Sequence, residues 1–228
     1  MNEFENIQSL VEGHWLSKVL KPQELNTLFQ KSAVVKYRKR ETIVKKGEFA
    51  THLILVMDGY VKVEIEEAKK NLILDIVRGF NFIGLPLVLS FEKYCFSVVS
   101  LTETEVRFIP LETVKDILRN NSELSMAAIE YGNNHFVMPL LEKLQSASRN
   151  NIRGRLAKLI LSLSTRTHQS KRFVLLISRF EMAQMIGFSR ENVIRMLTEF
   201  HNEGIISISG KSLEIINFSR LEELAMYS

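Results

Sequence analysis

Arg190, Glu191 and Arg195 stand one and four residues apart, a spacing that gathers all three on one side of a helix at about 100° per residue. A guanidinium donates two parallel hydrogen bonds to N7 and O6 of guanine, and a carboxylate accepts from N4 of cytosine. Each good pair of this kind discriminates by about 1–3 kcal/mol. The three side chains therefore have the chemistry to meet base edges from the outer face of a helix. The alternative for any one arginine is a phosphate contact, or an ion pair with Glu191 or Glu199, neither of which carries sequence information.

Reading of this kind needs a helix held by its other side. Between Ser178 and Phe200 the chain reads SRFEMAQMIGFSRENVIRMLTEF. Ser178 and Glu181 have the spacing of a capping box, so a helix starts at Arg179. Met182, Ala183 and Ile186 share its inner side, and Gly187 permits the left-handed backbone of a tight turn. A second helix opens at Ser189 and puts Val193, Met196, Leu197 and Phe200 together. The small Ala183 four residues before Gly187 is the mark of a helix-turn-helix. Beyond Gly204, Ile205–Ser209, Gly210–Lys211 and Ser212–Ile216 read as strand, turn and strand, a wing with Lys211 at its tip. Lys211 is positioned for a phosphate or for water alone. Ser178 and Ser189 are phosphate candidates through their hydroxyls or the helix N-termini, although capping accounts for both.

The chain has 228 residues, 46% of them hydrophobic, and a formal net charge of +4, enough for one large folded domain or two modest ones. The first 149 residues carry 19 Lys+Arg and 19 Asp+Glu, the remainder 11 and 7, so the whole excess falls in the third that contains the helix-turn-helix. Positive charge there favours a polyanion through counterion release. The single cysteine, Cys95, allows no internal disulfide and reads as a small core hydrophobe. With no apolar run near 18 residues and no signal-peptide pattern, a cytoplasmic protein without membrane contact is expected.

Upstream, Thr42 to about Pro110 alternates apolar and polar residues between glycine turns, predicting an antiparallel jelly-roll barrel preceded by helical segments. From Leu111 the apolar spacing is helical, and Leu124, Ala128, Tyr131, His135, Met138 and Leu141 recur as a stripe suited to a two-stranded coiled coil. These six are the candidate dimer interface, with core packing as the alternative; Pro139 should kink or open the helix. The stripe thins near Arg149–Gly154, where a hinge is expected. The predicted fold is α+β: residues 1–149 form a sensor barrel with a long helix over about 111–149, and residues 150–228 form a winged helix-turn-helix.

This order of parts, together with SRENVIRML, GRLAKLIL and GEFATHLILVMDGYVKVEI, resembles the Crp/Fnr family of bacterial transcription regulators over nearly the whole chain. The resemblance implies a homodimer that places two such helices in successive major grooves of double-stranded DNA, with Arg190 and Arg195 as guanine readers and Glu191 as cytosine reader, and contact with RNA polymerase through exposed loops, for which Gln169–Arg172 is a candidate although it reads first as a connecting turn with two cations. Cyclic AMP-binding members carry a glutamate after a barrel glycine, then an Arg-Ser pair, and a Thr-Ser pair on the long helix. Here Gly84 is followed by Leu85, Cys95–Phe96 occupy the Arg-Ser position and Leu140–Leu141 the Thr-Ser position. A buried phosphate without a cation would be left uncompensated, so neither cyclic AMP nor cyclic GMP is the expected effector. Gly84, Leu85, Pro86, Leu87, Phe96, Leu140 and Leu141 are candidates to line an apolar pocket, either filled by the side chains themselves or open to an apolar ligand. Haem bound through His52 or His135 is the sharper alternative; otherwise no cofactor is expected. A barrel metalloenzyme is the rival class, and His14, His52, His135, His168 and His201 are too scattered for its metal centre.

Overall fold

The computed structural model describes residues 14–66, 71–147 and 151–226. Alternating side chains give eight strands: β1 (Ala33–Tyr37), β2 (Thr42–Val44), β3 (His52–Asp58), β4 (Tyr60–Ile65), β5 (Leu72–Arg78), β6 (Asn81–Ile83), β7 (Ser97–Ser100) and β8 (Thr104–Pro110). They assemble into two antiparallel sheets ordered β1-β8-β3-β6 and β2-β7-β4-β5, the expected α+β architecture with an N-terminal barrel. The helices α1 (Leu16–Val19) and α2 (Pro22–Gln30) add Leu16, Leu25, Leu28 and Phe29 to the barrel core, and α3 (Leu85–Ser90) adds Leu85 and Val88. Cys95 departs from expectation. It is exposed in the bend that leads into β7, between buried Tyr94 and Phe96.

The helix expected over about 111–149 is broken. A helix α4 (Leu111–Asn120) ends at Asn121, whose backbone is extended at φ −131°, ψ 96°, and α5 (Ser122–Gly132) starts afresh there. The Asn121 side chain accepts from the Leu124 amide and donates to the Val19 carbonyl and to Glu24, so the break is held from both sides. Between α5 and α6 (Met138–Ala147) the chain makes a wide turn over Asn133–Val137, in which the Met138 amide reaches back five residues to the Asn133 carbonyl. Proline at 139 has no amide to donate, and the wide turn takes up the irregularity just before it.

The proposed dimer stripe is corrected in part. Leu124 and Tyr131 are buried in the barrel core, and Ala128 packs against it. His135 lies on the Tyr131 ring, centroids 4.1 Å apart. Spacing shows which residues share a helix face but not what that face meets, and here the barrel takes it. The exposed apolar side chains along this stretch are Met126, Ile129, Val137, Met138, Leu140, Leu141 and Leu144, between 40% and 60% exposed, so of the original six Met138 and Leu141 point away, and His135, though it lies on Tyr131, is exposed as well.

The C-terminal part has α7 (Ile152–Ser162), continued by a wide-turned segment to His168, then β9 (Arg172–Val174), α8 (Arg179–Ile186), α9 (Arg190–Asn202), β10 (Ile206–Ser209), β11 (Ser212–Ile215) and α10 (Phe218–Met226). The wing is a three-stranded sheet ordered β10-β11-β9. Of the expected hinge, residues 149 and 150 lie outside the described residues, and Asn151 caps α7 by accepting from the Gly154 amide.

The second core crosses from one part to the other. Ile73, Ile76 and Leu101 of the barrel lie in the same buried cluster as Leu156, Ile160, Met182 and Phe200. Around it, Lys62 Nζ stands 2.8 Å from Glu64 and 3.2 Å from Glu181, Arg166 lies 3.6 Å from Asp75, and Arg78 donates to Gln169 at 2.8 Å. Burial by itself raises the Glu181 pKa, but hydrogen bonds from Ser178 and the Lys62 ammonium outweigh it and hold the carboxyl below its usual range.

Two outcomes are expected. Tyr131 Oη accepts from the Phe82 amide at 3.0 Å and donates to Asn81 at 3.1 Å, so Tyr131→Phe should cost about 1–3 kcal/mol through the orphaned buried amide, measured by urea unfolding. Lys62→Met strands two carboxylates and should cost about 2 kcal/mol at neutral pH, less than a fully buried pair because water reaches Glu181, although Glu64 is buried. The depressed Glu181 pKa contributes stability above the unfolded carboxylate value and loses it as pH falls through the folded one. The deficit of Lys62→Met in thermal melts should therefore narrow on acidification and be smallest where Glu181 is protonated.

Candidate nucleic-acid interface

The capping box predicted at the start of α8 is present. Ser178 Oγ accepts from the Glu181 amide at 3.1 Å, and the Glu181 carboxylate accepts from the Ser178 amide at 2.8 Å. The helix ends at Gly187, in the left-handed region at φ 74°, which an L side chain rarely adopts. Arg155 of α7 donates to the Ile186 carbonyl at 2.9 Å beside this turn and lies over the Phe188 ring. Ser189 then caps α9 by accepting from the Asn192 amide.

Along α9, Val193, Met196, Leu197 and Phe200 are buried, and Arg190, Glu191, Ile194, Arg195 and Thr198 are exposed. The three predicted base readers are thus brought together on the solvent side. Arg195 is steadied by Asn192 at 3.3 Å and Glu199 at 3.7 Å, so it carries an ion pair on its own helix in the absence of nucleic acid. Among the described residues no ion pair engages Arg190 or Glu191. At the far end of the helix Arg153 reaches Glu199 at 3.2 Å and Glu203 at 2.6 Å and covers Phe200. Sequence reasoning missed this clamp. NIRGRLAKLIL displays both arginines of α7 but not their partners some 30 to 50 positions away.

The candidate phosphate contacts are all exposed. Lys211 is exposed at the wing tip, and the wing is fastened to α8 where Arg179 donates to the Gly210 carbonyl at 2.8 Å. Ser178 and Ser189 are both occupied as caps; the Ser178 hydroxyl also donates to the Glu181 carboxylate at 3.0 Å, which leaves it a lone pair, whereas Ser189 keeps a lone pair and its hydroxyl hydrogen. The Gln169–Arg172 segment is engaged rather than free, with Gln169 bonded to Arg78 and Arg172 starting β9.

In the barrel, Gly84, Leu85, Pro86, Phe96 and Leu140 line one cavity of about 100 Å³. Leu87 and Leu141 do not line it; Leu141 lies about 100° round the helix from Leu140 and faces outward. Gly84 has φ 62°, and the Phe96 ring stands 2.5 Å from where a Cβ on it would be, so the phenyl group fills the space above the glycine. Sequence reasoning missed Asp75 and Lys143, which also line the cavity. Lys143 donates to the Leu74 carbonyl, and burial pushes its pKa down. His135 lines the cavity, with its pKa lowered by burial and by Arg166; His52 is bonded to Thr51 and lies against Phe108, away from it. A larger crevice of about 350 Å³ opens between β5, α6, α7 and the Gln184–Gly187 turn. Among the described residues no cluster of three or more His, Cys, Asp or Glu could hold a metal ion, and no helix is long and apolar enough to cross a membrane.

The chain matches the model of a Crp-like helix-turn-helix domain over residues 154–224 and that of a cyclic nucleotide-binding domain over 34–121. It is 28% identical to the cAMP-activated global transcriptional regulator CRP of Salmonella typhimurium over 186 residues, 79% of this chain and 88% of the relative. It is 24% identical to the anaerobic regulatory protein of Aggregatibacter actinomycetemcomitans, with 82% and 74% covered. In fold it is similar to FixK2 from Bradyrhizobium japonicum, with a TM-score of 0.77 at 20% identity over 85% of this chain and 96% of that one. The two domain matches in this order, on a barrel joined to a winged helix-turn-helix with an open arginine face, place the chain in the Crp/Fnr family of DNA-binding transcription regulators.

Proposed function

We propose that the protein is a homodimeric regulator that reads a palindromic DNA site through α9, under the control of an effector other than cyclic AMP. The observation that carries the reading is the solvent face of α9, where Arg190, Glu191 and Arg195 stand clear of a fully buried opposite side. Lys211, Ser178 and Ser189 would meet phosphates and set register rather than sequence. Double-stranded DNA is thus the partner, met in the cytoplasm, and the bound dimer would recruit or obstruct RNA polymerase.

The outward stripe from Met126 to Leu144 is the surface we assign to the second copy. Two protomers joined there would present α9 twice, and a two-fold protein matches a two-fold site with half-sites about one helical turn apart. Control is then a population shift, in which an effector favours whichever dimer geometry it binds better.

Cyclic AMP is disfavoured because Leu85 and Phe96 replace polar groups and the phenyl ring occupies the space over Gly84. Haem is the second reading, with His135 as the axial candidate, but a cavity of about 100 Å³ is small beside the 300–1,000 Å³ of ordinary ligand pockets. The interdomain crevice of about 350 Å³ falls within that range.

Arg195→Ala should lose about 1–3 kcal/mol on the preferred site and relax one base pair of it, measured by competition between that palindrome and random duplex. An unchanged base preference would remove Arg195 from the reading set. Ile129→Glu combined with Leu141→Glu should convert dimer to monomer in native mass spectrometry without loss of helix content, since both side chains are exposed; a dimer that persists contradicts the assigned surface.

A further inference from the structure

Ile194 is the one large apolar side chain on the exposed side of α9, 43% exposed and outside both buried clusters. At about 100° per residue, Arg190, Ile194, Thr198, Glu191 and Arg195 follow one another round an arc of about 140°, so Ile194 sits within the charged set and not at its margin. Helix formation does not call for it. A β-branched residue loses rotamer freedom in a helix, and a solvent-facing position is served better by alanine, lysine or arginine. Next to it, Thr198 Oγ1 donates back to the Ile194 carbonyl at 3.0 Å, which spends that hydroxyl's hydrogen within the helix. The middle of the reading surface is therefore apolar, flanked by guanidiniums and a carboxylate.

The major-groove edges of the four bases present donors, acceptors and one apolar group, the C5 methyl of thymine. A branched alkyl side chain carried into that groove has a single favourable base partner. We propose that Ile194 determines specificity by packing against a thymine methyl within each half-site, between the base pairs met by Arg190 and Arg195. The proposal rests on the reading of α9 as the groove-bound helix and adds a fourth, non-polar contact to it. A hydrogen bond to the thymine edge engages its O4, which uracil also offers, whereas this contact selects thymine by a group that uracil lacks.

Deoxyuridine keeps every hydrogen-bonding group of thymine and removes only the methyl, so it isolates the contact. Selection from a random duplex pool with the full-length protein gives the preferred half-site, and each of its thymines is then replaced singly by deoxyuridine. At one thymine the replacement should weaken wild-type binding about fourfold, the equivalent of about 0.8 kcal/mol for one methyl-sized group. Ile194→Ala should bind the thymine and deoxyuridine duplexes within a factor of two of each other, with unaltered helix content and melting temperature. Wild-type protein indifferent to every replacement, a preferred half-site without thymine, or an Ile194→Ala protein that keeps the fourfold ratio would overturn the inference while leaving the arginine reading intact. A pool that yields no preferred sequence overturns both, and so separates the two failures.

Discussion

Everything the C-terminal part can do follows from the burial of one side of α9. Val193, Met196, Leu197 and Phe200 are almost wholly withdrawn from water, and packing at interior density leaves little freedom to rotate the helix about its axis. A rotation of about 100° would exchange each outward side chain for its neighbour. The identity of the reading set is thus decided by apolar contacts on the hidden side. The arginines supply chemistry only after the core has chosen them. Arg153 and Arg155 reinforce the choice at opposite ends, one at the Glu199–Glu203 turn and one at the Ile186 carbonyl.

Much of this was legible from residue order. Capping boxes, turn glycines and wings are local, so Ser178, Glu181, Gly187 and the Gly210–Lys211 tip fall where their sequence places them. Barrel strands were legible for the same reason, since alternation is a short-range signal. The failures share a physical cause as well. Asn121 lies in a stretch with continuous helical spacing; its cap on the Leu124 amide is local, but the hydrogen bonds to Val19 and Glu24 that hold the break from the other side lie in no window around residue 121. Leu124 and Tyr131 were grouped correctly but given the wrong neighbour, because a stripe does not announce whether a barrel or another chain covers it. Cys95 followed composition into the core, whereas it lies exposed in the bend that leads into β7.

The barrel and the helix-turn-helix share a buried cluster and a ring of polar links, Lys62 to Glu181, Asp75 to Arg166, Arg78 to Gln169. These are long-range pairs, and they give a conformational signal a material route. Any shift of β4 or β5 acts directly on the start of α8 and on the segment that follows α7. Arg166 also bears on His135 and Lys143, whose pKa values it lowers, so the cavity lining and the interdomain ring influence each other's charge.

Glu181 serves two masters. Its carboxylate closes the first turn of α8 and also meets Lys62 across the domain border. Replacing it to loosen the connection would fray the very element whose position is being adjusted, whereas Lys62 lies outside that helix and has its other partner, Glu64, on its own barrel strand. Evolutionary tuning of how tightly sensor and reader are coupled should therefore run through residue 62 and its surroundings, with residue 181 kept acidic by the demands of folding.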